Sequence, residues 1–183
     1  MNVIDILKRV RDMLMTPKQY AKHVGVKMGK DCSIDSKNFG TEPYLITLGD
    51  GVRIARHASF YTHGGVVSLR KYYNDPTLEQ IGKISIGDYT SIGAHCMIMP
   101  GVTIGKLCIV GGGSVVTKSV PDGCMVAGNP AKFIGYTEEF YKRVKKNNLS
   151  CKGMTAKEKK RYLLSLPEEK FIQKKVMEIK PKE

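Results

Sequence analysis

The most regular feature of the chain is a six-residue repeat of aliphatic residues in its central part. Between residues 86 and 116 an aliphatic side chain returns at every sixth position, and a small or slim residue follows each one four places later. The aliphatic positions are Ile86, Ile92, Ile98, Ile104, Val110 and Val116, and the slim ones are Thr90, Cys96, Val102, Cys108, Ser114 and Val120. A period of six is a multiple of the strand period of two and fits no helical period, so both positions are expected to face inward. The pattern predicts a parallel β-solenoid.

The same register extends toward the N-terminus. Inner pairs are predicted at Met28 and Cys32, Ile34 and Asn38, Leu48 and Val52, Ile54 and Ala58, and Phe60 and Gly64. A small residue often follows the aliphatic one, as at Gly29, Gly49, Ala55, Gly87, Gly93, Gly105 and Gly111. We expect these positions to form tight corners, because glycine accepts a positive φ.

Three parts are predicted along the 183 residues. Residues 1–25 form an N-terminal helical segment, residues 26–136 the solenoid with a loop inserted at 64–83, and residues 137–183 a basic C-terminal helical extension. Residues 1–15 carry an amphipathic helical pattern with basic residues. Helices of the extension are predicted over Thr137–Lys146, from a capping box at Thr155–Glu158 to Leu166, and after Pro167.

Charge and composition narrow the choice of partners. The net charge of +13 makes an anionic partner possible, but Lys and Arg concentrate in the N-terminal helix and in the tail from Lys142 to Lys182. Because the hexads lack regularly spaced aromatics, no nucleic-acid partner is expected, whereas a phosphate-bearing cofactor or an acidic lipid or glycan surface fits. We expect no transmembrane segment and a cytoplasmic location, since the apolar runs are short and no signal-peptide stretch is present. Three of the five cysteines fill slim inner positions, so neither disulfides nor a thiolate metal site is expected.

Three stretches carry a resemblance to a known family. They are Ile98-Met99-Pro100-Gly101-Val102-Thr103-Ile104-Gly105, the run from Gly111 to Pro121, and Ala127-Gly128-Asn129-Pro130-Ala131-Lys132. From about Lys27 to Ile134 the chain resembles the hexapeptide-repeat acyltransferases, which implies an all-β solenoid wound as a left-handed parallel β-helix with helices at both ends. It also implies homotrimers that use acetyl-CoA or a related thioester. Phe39–Ile46 and Phe60–Gly65 look like the branch found in capsule, exopolysaccharide and lipopolysaccharide gene neighbourhoods.

This resemblance implies an O-acetyltransferase that acts on a sugar hydroxyl, and the chemistry needs a base. His63 matches the family's catalytic histidine and ends a hexad where the long loop begins, so its ring can face a cleft; the alternative is a histidine that only caps the loop. Glu42 lies about one coil upstream and is predicted to orient His63 through one ring nitrogen. The alternative for Glu42 is a cap on the turn at Pro43.

Cofactor and acceptor residues follow from the same resemblance. Backbone groups near Ala94 and Gly112 are expected to touch the pantetheine arm of acetyl-CoA, although corner geometry alone also explains Gly112. Thr117 and Lys118 match a pair at the nucleotide end, and Lys132 matches a basic residue near the phosphates. The acceptor, a sugar or its nucleotide- or lipid-linked form, is expected at Tyr61, Arg70, Tyr72 and Tyr73; reaching a neighbouring subunit is the other role open to this loop.

Two further histidines keep other functions open. His57 and His95 occupy the fourth place of their hexads, and counting hexads puts them on one face, one coil apart. This alignment suggests a site like that of the γ-class carbonic anhydrases, which bind metal with three histidines. No histidine pair has the short spacing of that class, so no metal is expected. A catalytically idle scaffold and transfer to the nitrogen of an amino sugar are the remaining alternatives.

Overall fold

The computed structural model describes residues 3–176. The chain divides into two compact units, of which the first ends at Glu138 and the second begins at Glu139. Before the first unit ends, the described residues form the helices α1 (Val3–Leu14), α2 (Pro17–His23) and α3 (Val67–Tyr72), and Pro43–Leu45 forms a 3₁₀ turn. No helix within residues 3–176 has the length and apolar character needed to cross a bilayer.

Within residues 3–176 the chain forms thirteen short strands. They are β1 (Lys27–Met28), β2 (Ser33–Ile34), β3 (Ile46–Leu48), β4 (Arg53–Ile54), β5 (Ser59–Phe60), β6 (Ile84–Ile86), β7 (Ser91–Ile92), β8 (Met97–Ile98), β9 (Thr103–Ile104), β10 (Ile109–Val110), β11 (Val115–Val116), β12 (Cys124–Ala127) and β13 (Lys132–Tyr136). The three sheets have the orders β1-β3-β6-β9, β13-β12-β10-β7-β4-β2 and β11-β8-β5. From β3 to β11 successive strands enter the three sheets in rotation, and we call each set of three a rung.

Every pairing between rungs is parallel, as the hexads predict, and β12 with β13 forms an antiparallel pair at the end. The paired aliphatic residues are in register, for example Ile54 with Ile92 and Ile92 with Val110. Both predicted inner positions are buried from Ile86 to Val120. Apolar burial at these positions is the main force that holds neighbouring rungs together.

The slim inner positions also form polar contacts between rungs. Thr90 Oγ1 donates to the carbonyl of Gly105 at 2.7 Å, and Cys96 Sγ donates to that of Gly111 at 3.1 Å. Each of these donors reaches a carbonyl fifteen residues later in the chain. Burial raises the pKa of the Cys96 thiol, which keeps it protonated as a donor. A slim residue therefore fits this position because its short donor reaches a backbone oxygen.

The predicted inner position at Asn38 is wrong. Asn38 is exposed, whereas Ser36 and Phe39 are buried. Ser36 Oγ donates to the carbonyl of Ala58 at 2.7 Å and accepts the Asn38 N–H at 3.2 Å, which lets the chain slip by one residue. Phe39 then stacks on Phe60, with ring centroids 5.4 Å apart.

The small residues after the aliphatic positions act differently from the prediction. Positive φ is absent at each of Gly29, Gly49, Gly87, Gly93, Gly105 and Gly111. A Cβ at Gly49 or Gly105 would instead overlap the carboxylate of Asp88 or Asp122 on the next rung. Those carboxylates accept the N–H groups of Asp50 at 2.8 Å and Lys106 at 2.9 Å. Glycine is required there for close approach, and positive φ falls at the fourth place of the hexad, at His57 and His95 among others.

The ends of the chain are helical. Helix α2 lies within the predicted N-terminal helical segment and starts at a capping box formed by Thr16 and Gln19. Beyond the strands, helix α4 spans Thr137–Lys146, and α5 spans Ala156–Leu164 after the predicted capping box of Thr155 and Glu158. The third predicted helix is a single 3₁₀ turn, Glu168–Lys170. Residues 1, 2 and 177–183 of the predicted terminal segments lie outside the described residues.

Candidate active site

The site predicted around His63 lies where the repeat is interrupted twice. After the slip at Asn38, Gly40 adopts a φ of +68° and passes so close to the carbonyl of Phe60 that a Cβ would lie 2.9 Å from it. The chain then turns through Pro43–Leu45 before β3 begins. This detour brings Glu42 beside Thr62 and His63, which follow β5.

A second interruption fixes His63 from the other side. His63 forms an antiparallel bridge with Ile81. The N–H of Gly64 donates to the carbonyl of Gln80 at 2.8 Å, and the N–H of Gly82 donates to that of Thr62 at 2.8 Å. The inserted loop is thus closed at its base by backbone hydrogen bonds, which hold His63 while 41% of its side-chain surface stays exposed.

Four side chains form one hydrogen-bonded cluster, Thr41, Glu42, Thr62 and His63. Glu42 Oε2 lies 2.6 Å from Thr62 Oγ1 and 3.0 Å from His63 Nδ1. Glu42 Oε1 lies 2.7 Å from Thr41 Oγ1, which in turn lies 3.0 Å from His63 Nδ1. Glu42 makes no side-chain cap on the Pro43 turn. The structure therefore brings together the two residues predicted to be catalytic and directs the carboxylate to the imidazole.

The cluster keeps Glu42 ionised. Hydrogen bonds from Thr62, then His63, then Thr41 lower the pKa of Glu42 from 4.5 to about 2, against an opposing contribution from burial. Thr62 is fully buried, so its hydroxyl is fixed and has no competing water. At neutral pH the side chain of Glu42 is a carboxylate that only accepts hydrogen bonds.

Proton positions in the cluster follow from this donor count. Each threonine has a single O–H, and both hydroxyls donate to Glu42, so Thr41 Oγ1 meets His63 Nδ1 as an acceptor. We therefore assign the neutral ring's proton to Nδ1, where it faces two acceptors. Among residues 3–176 no group hydrogen-bonds Nε2. That nitrogen carries a lone pair available to an incoming proton.

The predicted acceptor residues lie on or beside the inserted loop. Tyr61 is 39% exposed and follows β5 directly. Tyr72 and Tyr73 are strongly exposed and form an edge-to-face pair, with centroids 4.8 Å apart, at the end of α3. Arg70 is engaged within the loop, because its guanidinium pairs with Glu79 and donates to the carbonyl of Leu78.

The predicted cofactor residues lie elsewhere on the rungs. A Cβ at Gly112 would lie 3.2 Å from the carbonyl oxygen of Ala94, which accepts the N–H of Gly113 at 2.8 Å. Stacking of rungs alone therefore gives Gly112 a reason to be glycine. Thr117 and Lys118 are exposed after β11, and Lys132 is exposed at the start of β13. Lys118 also lines a cavity of about 350 Å³ together with Phe133 and Tyr136.

The two other histidines of the repeat stack on each other. The rings of His57 and His95 have centroids 4.8 Å apart and an interplanar angle of 23°, so the predicted alignment on one face is confirmed. Within the part of the chain that the structure describes, no three His, Cys, Asp or Glu side chains form a group that could hold a metal ion.

Sequence reasoning missed Thr41 and Thr62. Both contribute a hydroxyl to Glu42 and lie in stretches that carry the resemblance, Phe39–Ile46 and Phe60–Gly65, but no role was predicted for either. A signal for Thr62 exists in the hexads, because a polar residue two places after the inner Phe60 falls on the same inner face and needs a buried partner. Thr41 has no such signal, since it lies in the turn that the repeat does not describe.

Comparison with known proteins matches part of the chain to a family model and most of it to a relative of similar length. Residues 83–118 match the model of the bacterial transferase hexapeptide family, described as six repeats. Protein CapG of Staphylococcus aureus is 44% identical over 148 residues, which is 79% of this chain and 85% of CapG. The aligned length shows that the similarity extends well beyond the central hexads.

Two solved structures share the fold of the chain. A hexapeptide-repeat acetyltransferase of Vibrio cholerae, solved with acetyl coenzyme A, has a TM-score of 0.55 and 29% identity, covering 62% of this chain and 61% of that one. A maltose O-acetyltransferase of Clostridium difficile has a TM-score of 0.52 and 29% identity, covering 61% of this chain and 59% of that one. Each alignment thus leaves about two fifths of the solved chain unmatched.

Proposed function

Because the chain belongs to the bacterial hexapeptide-repeat transferase family, we propose that it moves an acetyl group from acetyl-CoA to a sugar hydroxyl in the synthesis of a surface polysaccharide. Binding of acetyl coenzyme A by the Vibrio cholerae protein supports the donor. The activity that names the Clostridium difficile neighbour, O-acetylation of maltose, supports a sugar acceptor.

The observation that carries the proposal is the orientation of His63. Its Nδ1 is held by Glu42 at 3.0 Å, so Nε2 is the basic nitrogen. Nε2 takes the proton of the acceptor hydroxyl while the hydroxyl oxygen attacks the thioester carbonyl carbon. The tetrahedral intermediate then expels the CoA thiolate as the C–S bond breaks, and the proton on Nε2 passes to that sulfur. The Glu42 carboxylate stabilises the imidazolium between the two steps.

The rest of the proposal concerns the assembly around this base. We infer that the rungs wind as a left-handed parallel β-helix and that three copies associate in the cytoplasm, with acetyl-CoA between neighbours. Ala94 and Gly112 would contact the pantetheine arm, and Thr117, Lys118 and Lys132 the nucleotide. Tyr61, Tyr72 and Tyr73 present exposed rings for a sugar, while Arg70 positions the loop that carries the last two.

Release of free thiol from acetyl-CoA, measured with a panel of hydroxyl and amine sugars, tests this function. Wild type should turn over with at least one hydroxyl acceptor, and His63→Ala should lose about two or more orders of magnitude in kcat. His23→Ala is the matched control, since His23 is exposed at the end of α2 with its ring near Asp12 of α1, and it should retain full activity. Equal activity of His63→Ala and wild type, or a loss of activity in chelator, would contradict the proposal.

A further inference from the structure

The helix α1 exposes its apolar side. Six apolar residues fall within roughly a third of the helix circumference at 3.6 residues per turn. They are Val3, Ile6, Leu7, Val10, Met13 and Leu14, and their exposed fractions range from 44% to 81%. No residue of α1 is buried. An amphipathic helix on a folded domain normally turns this side toward the core.

The polar side of α1 is the one held by the first unit. Asp12 is the one half-buried residue in Val3–Leu14. Lys37, which follows β2, donates from Nζ to the carbonyl of Asp12 at 2.6 Å and to that of Met13 at 3.1 Å. A lysine at the last carbonyls of a helix also interacts favourably with the helix dipole. This contact fixes the C-terminal end of α1 in an orientation that leaves Val10 and Leu14 facing away.

Basic residues border the exposed apolar side. At 100° per residue Arg9 and Arg11 fall on its two flanks and Lys8 lies beyond Arg11, while the acidic residues of α1 lie on the opposite side. Arg11 pairs with Asp12 at 2.9 Å, but both side chains are solvent-accessible, so exchanging this partner for another anion costs little. An apolar strip with cationic borders is complementary to a surface that is apolar inside and anionic at its rim.

We propose that α1 docks on the anionic phospholipid surface of a membrane, with its apolar side among the acyl chains and Arg9 and Arg11 at the phosphates. Helices of this composition lie in the interfacial plane and bind through buried apolar area plus attraction to anionic lipids. Packing of two α1 helices on each other fits less well, because a twofold axis would bring the same basic borders together. Docking would place the enzyme where lipid-linked sugars are found, although the docking itself does not depend on the proposed function.

Co-sedimentation of the full chain with vesicles tests the docking. Wild type should pellet with vesicles of equal parts phosphatidylglycerol and phosphatidylcholine, and at least about tenfold less with phosphatidylcholine alone. The double variant Leu7→Glu, Val10→Glu should bind anionic vesicles at least about tenfold more weakly. A matched double variant, Leu164→Glu with Val176→Glu, makes the same charge change at exposed apolar residues of the second unit and should bind as wild type does.

The outcomes separate docking from its alternatives. Wild type that stays in the supernatant with anionic vesicles, or a matched variant that loses as much binding as the α1 variant, would overturn the proposal. So would a fall in the solution mass of the α1 variant by light scattering, since a second copy would then cover α1. Acetyl transfer to a water-soluble sugar should be unchanged in the α1 variant. Because vesicle binding is measured without turnover, failure of the docking proposal can be distinguished from failure of the proposed function.

Discussion

Buried side chains find their partners differently in two regions of the molecule, the rungs between Ile84 and Val116 and the cluster around Glu42. In the rungs each inner side chain meets its equivalent one rung away, and slim donors such as Thr90 reach a backbone carbonyl. In the cluster the buried hydroxyl of Thr62 reaches a carboxylate, and the carboxylate reaches a ring nitrogen. Because the repeat gives the inner side chains of every rung the same surroundings, a residue with a distinct chemical role lies where the repeat is interrupted.

Truncation of an inner side chain of the rungs should give the largest difference in stability from a truncation outside them. Ile104 is fully buried in β9, so Ile104→Ala should lower the free energy of unfolding by about 2–5 kcal/mol. Ile81, half exposed at the base of the inserted loop, is the matched position, and Ile81→Ala should change stability by about 0.5 kcal/mol or less. Urea unfolding measures both variants. Similar losses would mean that the loop is packed as firmly as the rungs.

A substitution where the backbones of two rungs approach closely should give the next largest loss of stability. A Cβ at Gly87 would lie 2.5 Å from the backbone nitrogen of Lys106, so Gly87→Ala should cost about 1–3 kcal/mol as backbone shifts to make room. A Cβ at Gly65 would have no neighbour within 4 Å, and Gly65→Ala should stay within about 0.5 kcal/mol. Thermal unfolding of the pair compares them directly. A neutral Gly87→Ala would refute close approach as the reason for these glycines.

The buried positions of the rungs could be predicted from the sequence because every rung buries residues with the same six-residue period. The inner residues from Ile86 to Val120, the parallel pairing and the alignment of His57 with His95 all follow from that period. What the period does not encode is where it slips. The exposure of Asn38 depends on a hydrogen bond of Ser36 to the next rung, a contact that no periodicity implies.

The site could be predicted in part, for a related reason. His63 and Glu42 were identified by resemblance and by their distance of about one coil, and the structure places them 3.0 Å apart. Thr41 and α3 lie in segments without a repeat, and Val66, the residue before α3, makes no side-chain cap. By contrast, α2 begins with a capping-box pattern at Thr16 and Gln19 that could have been read from the sequence.

The smallest of these effects tests whether Glu42 acts through His63. Glu42→Gln keeps the size of the side chain but removes the charge that stabilises the imidazolium, so kcat should fall about tenfold, less than in His63→Ala. The loss should appear in kcat, with KM for the sugar little changed, because the carboxylate acts on the base and is not expected to contact the substrate. An unchanged kcat in Glu42→Gln would mean that the carboxylate does not act through His63.

The same variant has a signature in stability. The pKa of Glu42 is about 2 in the folded protein against 4.5 ordinarily, so ionisation favours folding. This contribution is complete above about pH 4.5 and is lost as the pH falls toward 2. The stability gap between wild type and Glu42→Gln in urea should therefore narrow through that window, whereas Glu169→Gln, at an exposed glutamate, should show no such gap. A gap that stays constant would mean that Thr62 does not hold the carboxylate. The cluster would then lack the hydrogen bonds that distinguish it from the rungs.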